Sequence, residues 1–460
     1  LKGVKIGWIR TVIEPVQVDQ RTLIKGRSDT RLEMSRFGEK SLVQTRVESW
    51  ETPRGEVQSF KLETDMGNST VTAAGELRSG AMHVDVRSEN SQSTRTFPWS
   101  PSQGGFFALE QSLRQQPMKP GEQRQLTSLM PGMPSFQFVN ATLSARDWES
   151  VELLGGNDQR LLKIDMKMKA SQQELDVVGW MDTDGELLKS SVPAMQQTIY
   201  RATESFARKP DSNRIDLGRD AIVKISTPLP HPERLTRLQL KVSLISSDPS
   251  KVFDAGHSQL VEPLDEQAAR VTLWAIRPSG PTSGIEEPGP TSEDREANVW
   301  VDFQDPLIGE MSQTWVGSAT EPWAKCVALE KGVHDWIDQK NFTQAFATAG
   351  TVVREREGDC TEHAVLLAAV CRAAGIPARV ALGLVYSGRD GGFAFHMWTE
   401  AWVADRWIPL DATRGQGGIG ATHLKLSDSS LASGSVEAAM MRIVPVIYQL
   451  SIEVLDHQPP

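Results

Sequence analysis

The stretch "REREGDCTEHAVLLAAVCRAAGIPAR", Arg354 to Arg379, decides how the C-terminal part of this 460-residue chain is read. It holds two of the three cysteines. The pattern predicts a helix from about Cys360 to Ala374, ended by Gly375 and Pro377. Between Ala364 and Cys371 that helix is apolar nearly all round, so it is a buried one. Its two cysteines therefore sit in different settings. Cys360 follows Gly358 and Asp359 at the helix start, where unpaired N–H groups and roughly half a positive charge favour thiolate and can receive an oxyanion. Gly358 permits the tight turn into the helix. Cys371 returns to nearly the same helix face but ~16 Å along the axis, beyond the reach of a disulfide or of the helix-start dipole. It reads as structural, as does Cys326, which shares an apolar face with Trp323 and Val327.

A thiolate nucleophile needs an imidazole partner, and the imidazole needs an orienter. Both are available downstream in "HMWTEAWVADRWIPLDAT", His396 to Thr413, which reads as an antiparallel hairpin. If Ala404 and Asp405 form a two-residue turn, Val403 faces Arg406 and Asp411 faces Trp398. Asp411 then shares a sheet face with His396, one diagonal step away. A three-residue loop would turn Asp411 to the opposite face.

Three segments in this order, "GDCTEHAVLLAAVCRAAGIPARVALG", "HMWTEAWV" and "RWIPLDAT", resemble the core motifs of the transglutaminase-like superfamily. The resemblance spans roughly residues 320 to 430, and nothing comparable covers residues 1 to 315. It implies a papain-like Cys-His-Asp arrangement, with Cys360 as nucleophile, His396 as base and acid and Asp411 as orienter. It also implies acyl transfer from an amide of a protein or peptide substrate through a thioester. Whether the acceptor is an amine, as in a transglutaminase, or water, as in a cysteine peptidase or deamidase, is left open by the motifs. The long segment ahead of the motifs motivates a different reading, a non-catalytic envelope or surface binding protein that uses a papain-like unit as scaffold.

Other residues carry weaker expectations. Trp323 and Gln344 are candidates for a second oxyanion donor. Trp398 and Trp402 share parity with His396, and either line an acyl pocket or pack in the core. His363 fixes the first helical turn or serves as a second base. Glu362 suits the first turn of the helix, and Arg379 with Glu400 suits a structural ion pair. "TRGQGGIGA" (413–421) is a surface loop or a lip over the cleft. There is no C-x-x-C, no H-E-x-x-H and no ligand cluster, so neither a metal nor a cofactor is expected.

A composition of 39% hydrophobic and 23% charged residues is that of a globular protein, and the length calls for two to four domains. A net charge of −10 argues against a nucleic-acid partner. No apolar run reaches the ~20 residues that span a bilayer. The start at Leu1 suggests a processed or truncated form. Three free thiols permit the cytoplasm, while the β-rich front fits an extracytoplasmic or periplasmic location, the preferred reading. Oligomeric state is open. The expected fold class is α+β, with a papain-like, transglutaminase-like catalytic domain behind two mainly antiparallel β domains. Residues 1–212 read as one antiparallel meander, and 213–315 as a second β-rich unit with a mobile acidic Pro/Gly loop at 278–296. Residues 316–432 form the catalytic domain, with helices expected in "EPWAKCVALEKGVHDWI" and "FTQAFATAGTVVRE". Residues 433–460 are a C-terminal extension packing on the core.

Overall fold

The computed structural model of the chain describes residues 3–18, 20–89, 91–100, 103–132, 136–170, 173–211, 215–432 and 435–459. The domain boundaries expected at 212/213 and 432/433 involve residues outside the described ones.

Residues 7–200 form two antiparallel meanders where one was expected. The first has seven strands, from Gly7–Val18 to Gln92–Pro98, each paired with its neighbour in sequence. The second has six, from Gln123–Pro131 to Gln197–Tyr200. Alternation explains both. In Val57–Asp65, for example, Val57, Phe60, Leu62 and Thr64 are buried while Lys61 and Glu63 are exposed, the period of a half-buried strand. The helix Ala108–Gln115 separates the sheets, and its Leu113 is buried in the core of the second.

A four-stranded sheet follows, ordered Gln259–Pro263, Ala268–Trp274, Arg237–Leu244 and Leu450–Gln458. The C-terminal extension thus contributes a strand to the sheet of the second β-rich unit, while its Val436 and Ala439 join the core that includes the Cys360 helix. The boundary expected at 315/316 falls at the end of a helix, Pro306–Val316, capped by Asp305. This helix packs on Cys360–Ala373, with Ser312 Oγ donating to the Val370 carbonyl at 2.9 Å.

The C-terminal part is built on a five-stranded antiparallel sheet. Gly392–Val403 pairs with Ala378–Ser387, which pairs with His423–Ser429; Arg406–Leu410 and Val223–Lys224 both pair with Gly392–Val403. The Cys360–Ala373 helix is buried at every position from Thr361 to Arg372. It lies on the sheet, with Thr399 Oγ1 donating to the Ala364 carbonyl at 2.9 Å. From the other side Leu384, Tyr386, Phe393 and Leu424 join the apolar core of the four-stranded sheet. Helix Pro322–Trp336 matches its expected segment, but the helix expected within 342–355 begins only at Ala349.

Segment 278–296 carries no regular element, yet it is not a free surface loop. Glu287 bonds Arg379 at 2.8 Å, the Pro288 carbonyl receives Trp407 Nε1 at 3.1 Å, and the carbonyl of buried Asp294 receives the Ala378 N–H at 3.0 Å. It is a strap tied to the C-terminal sheet. Its Pro and Gly content reflects irregular backbone, and its acids include partners for buried cations.

Candidate active site

Cys360 opens its helix behind a reciprocal cap. The Asp359 side chain accepts the Thr361 N–H at 2.8 Å, and Glu362 Oε2 accepts the Asp359 N–H at 2.9 Å. Gly358 has φ +148°, and a Cβ there would stand 2.3 Å from Glu362 Cβ. The turn into the helix therefore requires glycine at this position. Burial, then the Asp359 carboxylate, push the Glu362 carboxyl well up.

The hairpin has a two-residue turn. Ala404 and Asp405 have φ +53° and +57°, the left-handed pair of a type I′ turn. Val403 pairs with Arg406 and Thr399 with Leu410, the register that brings the next residue, Asp411, beside Trp398 and diagonal to His396. The outcome is a hydrogen bond of 2.9 Å between His396 Nε2 and Asp411 Oδ2. The other ring nitrogen, Nδ1, is not taken up by Asp411, and Cys360 is near enough for its charge to act on the ring. Burial lowers the proton affinity of His396, but Asp411 and then Cys360 outweigh it and raise the pKa to about 10. Asp411 is buried too; His396 and His423 overcome that cost and hold its carboxyl well below the usual range. The arrangement can keep an imidazolium between a thiolate and a carboxylate.

His423 is the member that the sequence reading did not single out. It opens strand His423–Ser429, and its Nε2 lies 3.1 Å from the same Asp411 Oδ2. Burial lowers its pKa to about 4, so the ring is neutral at pH 7 and carries its proton on Nε2 to donate to Asp411. Trp398 packs against both imidazoles, 6.3 Å from His396 and nearly parallel to it, and 5.2 Å from His423, edge to face, while the two imidazoles are 5.9 Å apart. Glu330, wholly buried, accepts the Asp411 N–H at 3.0 Å and the Gly418 N–H at 2.9 Å.

Gln344 donates through Nε2 to Glu357 at 3.0 Å and to Glu355 at 3.4 Å, so its amide is committed to two carboxylates rather than free for an oxyanion. Trp398 is 2% exposed and therefore packs beneath the histidines instead of lining an open pocket. Trp323 is half-buried, its ring packed toward Gly418. Segment 413–421 is pinned rather than loose: Gly418 binds Glu330 and the Ile419 carbonyl accepts from Arg277 at 3.0 Å. His363 donates from Nδ1 to the Asp359 carbonyl at 2.6 Å and fixes the first helical turn; burial brings its pKa down to about 4. Cys326 and Cys371 are buried neighbours, and the hydrogen bond between them, then burial, push the Cys371 thiol well up.

Among the described residues, two side-chain groups have the composition of a metal site. His396, Asp411 and His423 offer ligand atoms within 4.8 Å of one another, but both imidazole Nε2 atoms are engaged with Asp411. Glu287, Glu400 and Asp428 form the second group, which encloses Arg379 and Lys425 as its cations.

The sequence profile of the transglutaminase-like superfamily matches residues 310–412, which include Cys360, His396 and Asp411. No curated protein matches the chain. Among solved structures, a candidate cysteine protease from Cytophaga hutchinsonii aligns at TM-score 0.30 and 16% identity, over 49% of this chain and 86% of that one. The periplasmic domain of TgpA from Pseudomonas aeruginosa, solved with ethylmercury bound, aligns at TM-score 0.28 and 17% identity, over 43% and 92%. Among the described residues no helix is long and apolar enough to cross a membrane. The C-terminal part of this chain carries a transglutaminase-like domain, of a superfamily of cysteine-dependent enzymes.

Proposed function

We propose that the chain is a cysteine-dependent acyl-transfer enzyme acting on protein or peptide amides, with Cys360 as nucleophile, His396 as acid and base and Asp411 as orienter. The observation that carries this reading is the 2.9 Å bond from His396 Nε2 to buried Asp411, which leaves Nδ1 for Cys360 at a capped helix start. Cys360 thiolate attacks the amide carbonyl carbon, and the oxyanion is received by N–H groups at the helix start. The C–N bond then breaks, the His396 imidazolium gives its proton to the leaving nitrogen, and a thioester remains on Cys360. An acceptor amine or water next gives a proton to His396 and attacks the thioester, releasing Cys360 as thiolate beside a renewed imidazolium. Asp411 keeps the ring in place throughout without taking the proton.

The test uses a glutamine-containing casein, a fluorescent amine and an ammonia readout. Amine incorporation that is lost in Cys360→Ala identifies amine as acceptor. Ammonia or new N-termini alone, lost in the same variant, identify water and a deamidase or peptidase. Activity unchanged in Cys360→Ala, or absent in both proteins, defeats the proposal and favours a binding protein.

A further inference from the structure

One face of the first meander is joined to the approach to Cys360. Two of its hairpin tips, at residues 36–39 and 65–70, touch the segment 342–359 that leads into the Cys360 helix. At the second tip, Asn68 Nδ2 donates to Glu355 at 2.6 Å and to Glu357 at 2.5 Å, and the Met66 carbonyl accepts the Ala345 N–H at 3.1 Å. At the first, Glu39 accepts the Phe342 N–H at 2.5 Å and Phe37 packs on the Phe342 ring at 4.7 Å. The Phe37 and Gly38 N–H groups are held in turn by Asp216, at 2.8 and 2.7 Å.

Arg36 is the last residue of strand Arg21–Arg36, and its guanidinium lies over the Phe342 ring, 5.5 Å from the centroid. Its Nη2 is 2.8 Å from Oδ2 of Asp359, the residue that caps the helix and precedes Cys360. The Asp359 side chain is 2% exposed, so the pair is shielded from solvent on that side. The surrounding charges are Asp359, Cys360 and Glu362, all negative in their ionised forms; burial opposes the arginine's charge and these three together outweigh it. A docking contact alone does not need a cation at this point, because Glu39, Phe37 and Asn68 already hold the two parts together. The chemistry at the next residue, Cys360, does gain from one. A thiolate forming at Cys360, next to the Asp359 carboxylate, is repelled by it unless a cation compensates.

Resting on the acyl-transfer reading above, we propose that Arg36, supplied by the first meander, is a positioning residue of the active site: it fixes the Asp359 cap and offsets its charge so that Cys360 stays nucleophilic. The front of the chain then completes the catalytic centre in addition to carrying its own surfaces. Arg36 acts through Asp359 and the field at the sulfur.

The test uses the full chain. Cys360 alkylation by iodoacetamide at pH 7 is followed by mass spectrometry, with Cys371 as internal control, beside kcat and KM on the amide substrate. Arg36→Met keeps the packing of the stem and removes the charge. It is expected to lower the alkylation rate and kcat about tenfold each, with KM within about twofold. Arg36→Lys, which keeps a cation, is expected to recover most of both. Glu39→Ala removes a docking bond and leaves the charge at Asp359 alone; it should keep the wild-type alkylation rate. Melting curves confirm that each variant is folded, and if Arg36→Met is not, the Arg36→Lys and Glu39→Ala pair decides. Equal losses in Glu39→Ala and Arg36→Met, or in Arg36→Lys and Arg36→Met, reduce Arg36 to a docking contact, as does wild-type behaviour of a folded Arg36→Met. A wild-type chain whose Cys360 alkylates no faster than Cys371 defeats the acyl-transfer reading itself and leaves a separate signature.

Discussion

Asp411 accepts from two imidazoles on a single oxygen, and burial lowers the proton affinity of both. They end on opposite sides of neutrality: Asp411, then Cys360, outweigh burial and raise His396 to about 10, while burial, Arg414 and His396 itself outweigh Asp411 and bring His423 down to about 4. The raised value means that the His396 imidazolium is present below about pH 10 and is lost as pH rises through it. The kcat/KM profile should therefore show an alkaline limb near pH 10. In Asp411→Asn the ring loses its main stabilising charge. The limb should move down by at least about one pH unit and kcat should fall about 1,000-fold, checked by pH–rate profiles between pH 6 and 11. His423→Leu removes one donor from Asp411 and should lower kcat about tenfold with little change in KM; His423→Gln, which keeps an N–H donor, should restore most of it. Steady-state kinetics on both variants decide this. The contact of His396 with Asp411 could be written down from the sequence because one hairpin register brings the two together, and the place of Cys360 at a helix start was legible from Gly358, Asp359 and the apolar run that follows. His423 and Arg36 were not. Each reaches the site from a strand whose placement depends on pairings far away in sequence, and no local spacing marks either.

At the scale of elements, the hairpin that sets the His396–Asp411 register is held by a turn its residues fit poorly. Ala404 and Asp405 both occupy the left-handed region, which costs a residue with a Cβ and is nearly free for glycine and mild for asparagine. Ala404→Asn with Asp405→Gly should raise stability by about 1 kcal/mol without altering kcat, measured by denaturant unfolding and kinetics. A single glycine inserted between them should leave a folded protein and abolish activity, because it turns Asp411 to the other face. Elements with a strong period were legible: the alternating strands of the first half and the apolar Cys360 helix. Others were not. Residues 342–348 have helical composition, but Phe342 and Ala345 spend their N–H groups on Glu39 and Met66 of the first meander, so tertiary bonds override local propensity. Helix Pro306–Val316 carried a start signal in Asp305-Pro306, the cap and first-position proline seen in the structure, but Gly309 and a polar outer face mask its period.

Across the whole molecule, the strap at 278–296 ties the four-stranded sheet to the C-terminal one through charge. Arg379 and Lys425, both buried, are shared among Glu287 from the strap, Glu400 and Asp428, and the Arg379 guanidinium also lies 4.1 Å over the Trp407 ring. Glu287 additionally accepts the His257 N–H at 2.7 Å, which links it to the turn before strand Gln259–Pro263. Burial alone would raise the Glu287 carboxyl; Lys425 and then Arg379 reverse this and hold it below its ordinary value. A carboxylate with that sign stabilises the fold above its unfolded pKa, and the contribution is lost as pH falls through the folded one. Removing it leaves two buried cations facing fewer charges, which costs about 3 kcal/mol, more than any exposed pair on the surface. Glu287→Gln should therefore lower the unfolding free energy at pH 7, measured by denaturant titration, by that amount, and the deficit should shrink as pH falls below 4. Because the same bond holds the strap, limited proteolysis of the variant should cut first within 278–296, where the wild type resists. Glu286→Gln, at an exposed neighbouring position, should change neither measurement. A strap that stays protease-resistant in Glu287→Gln would mean that the Pro288 and Asp294 backbone bonds hold it without the charge network.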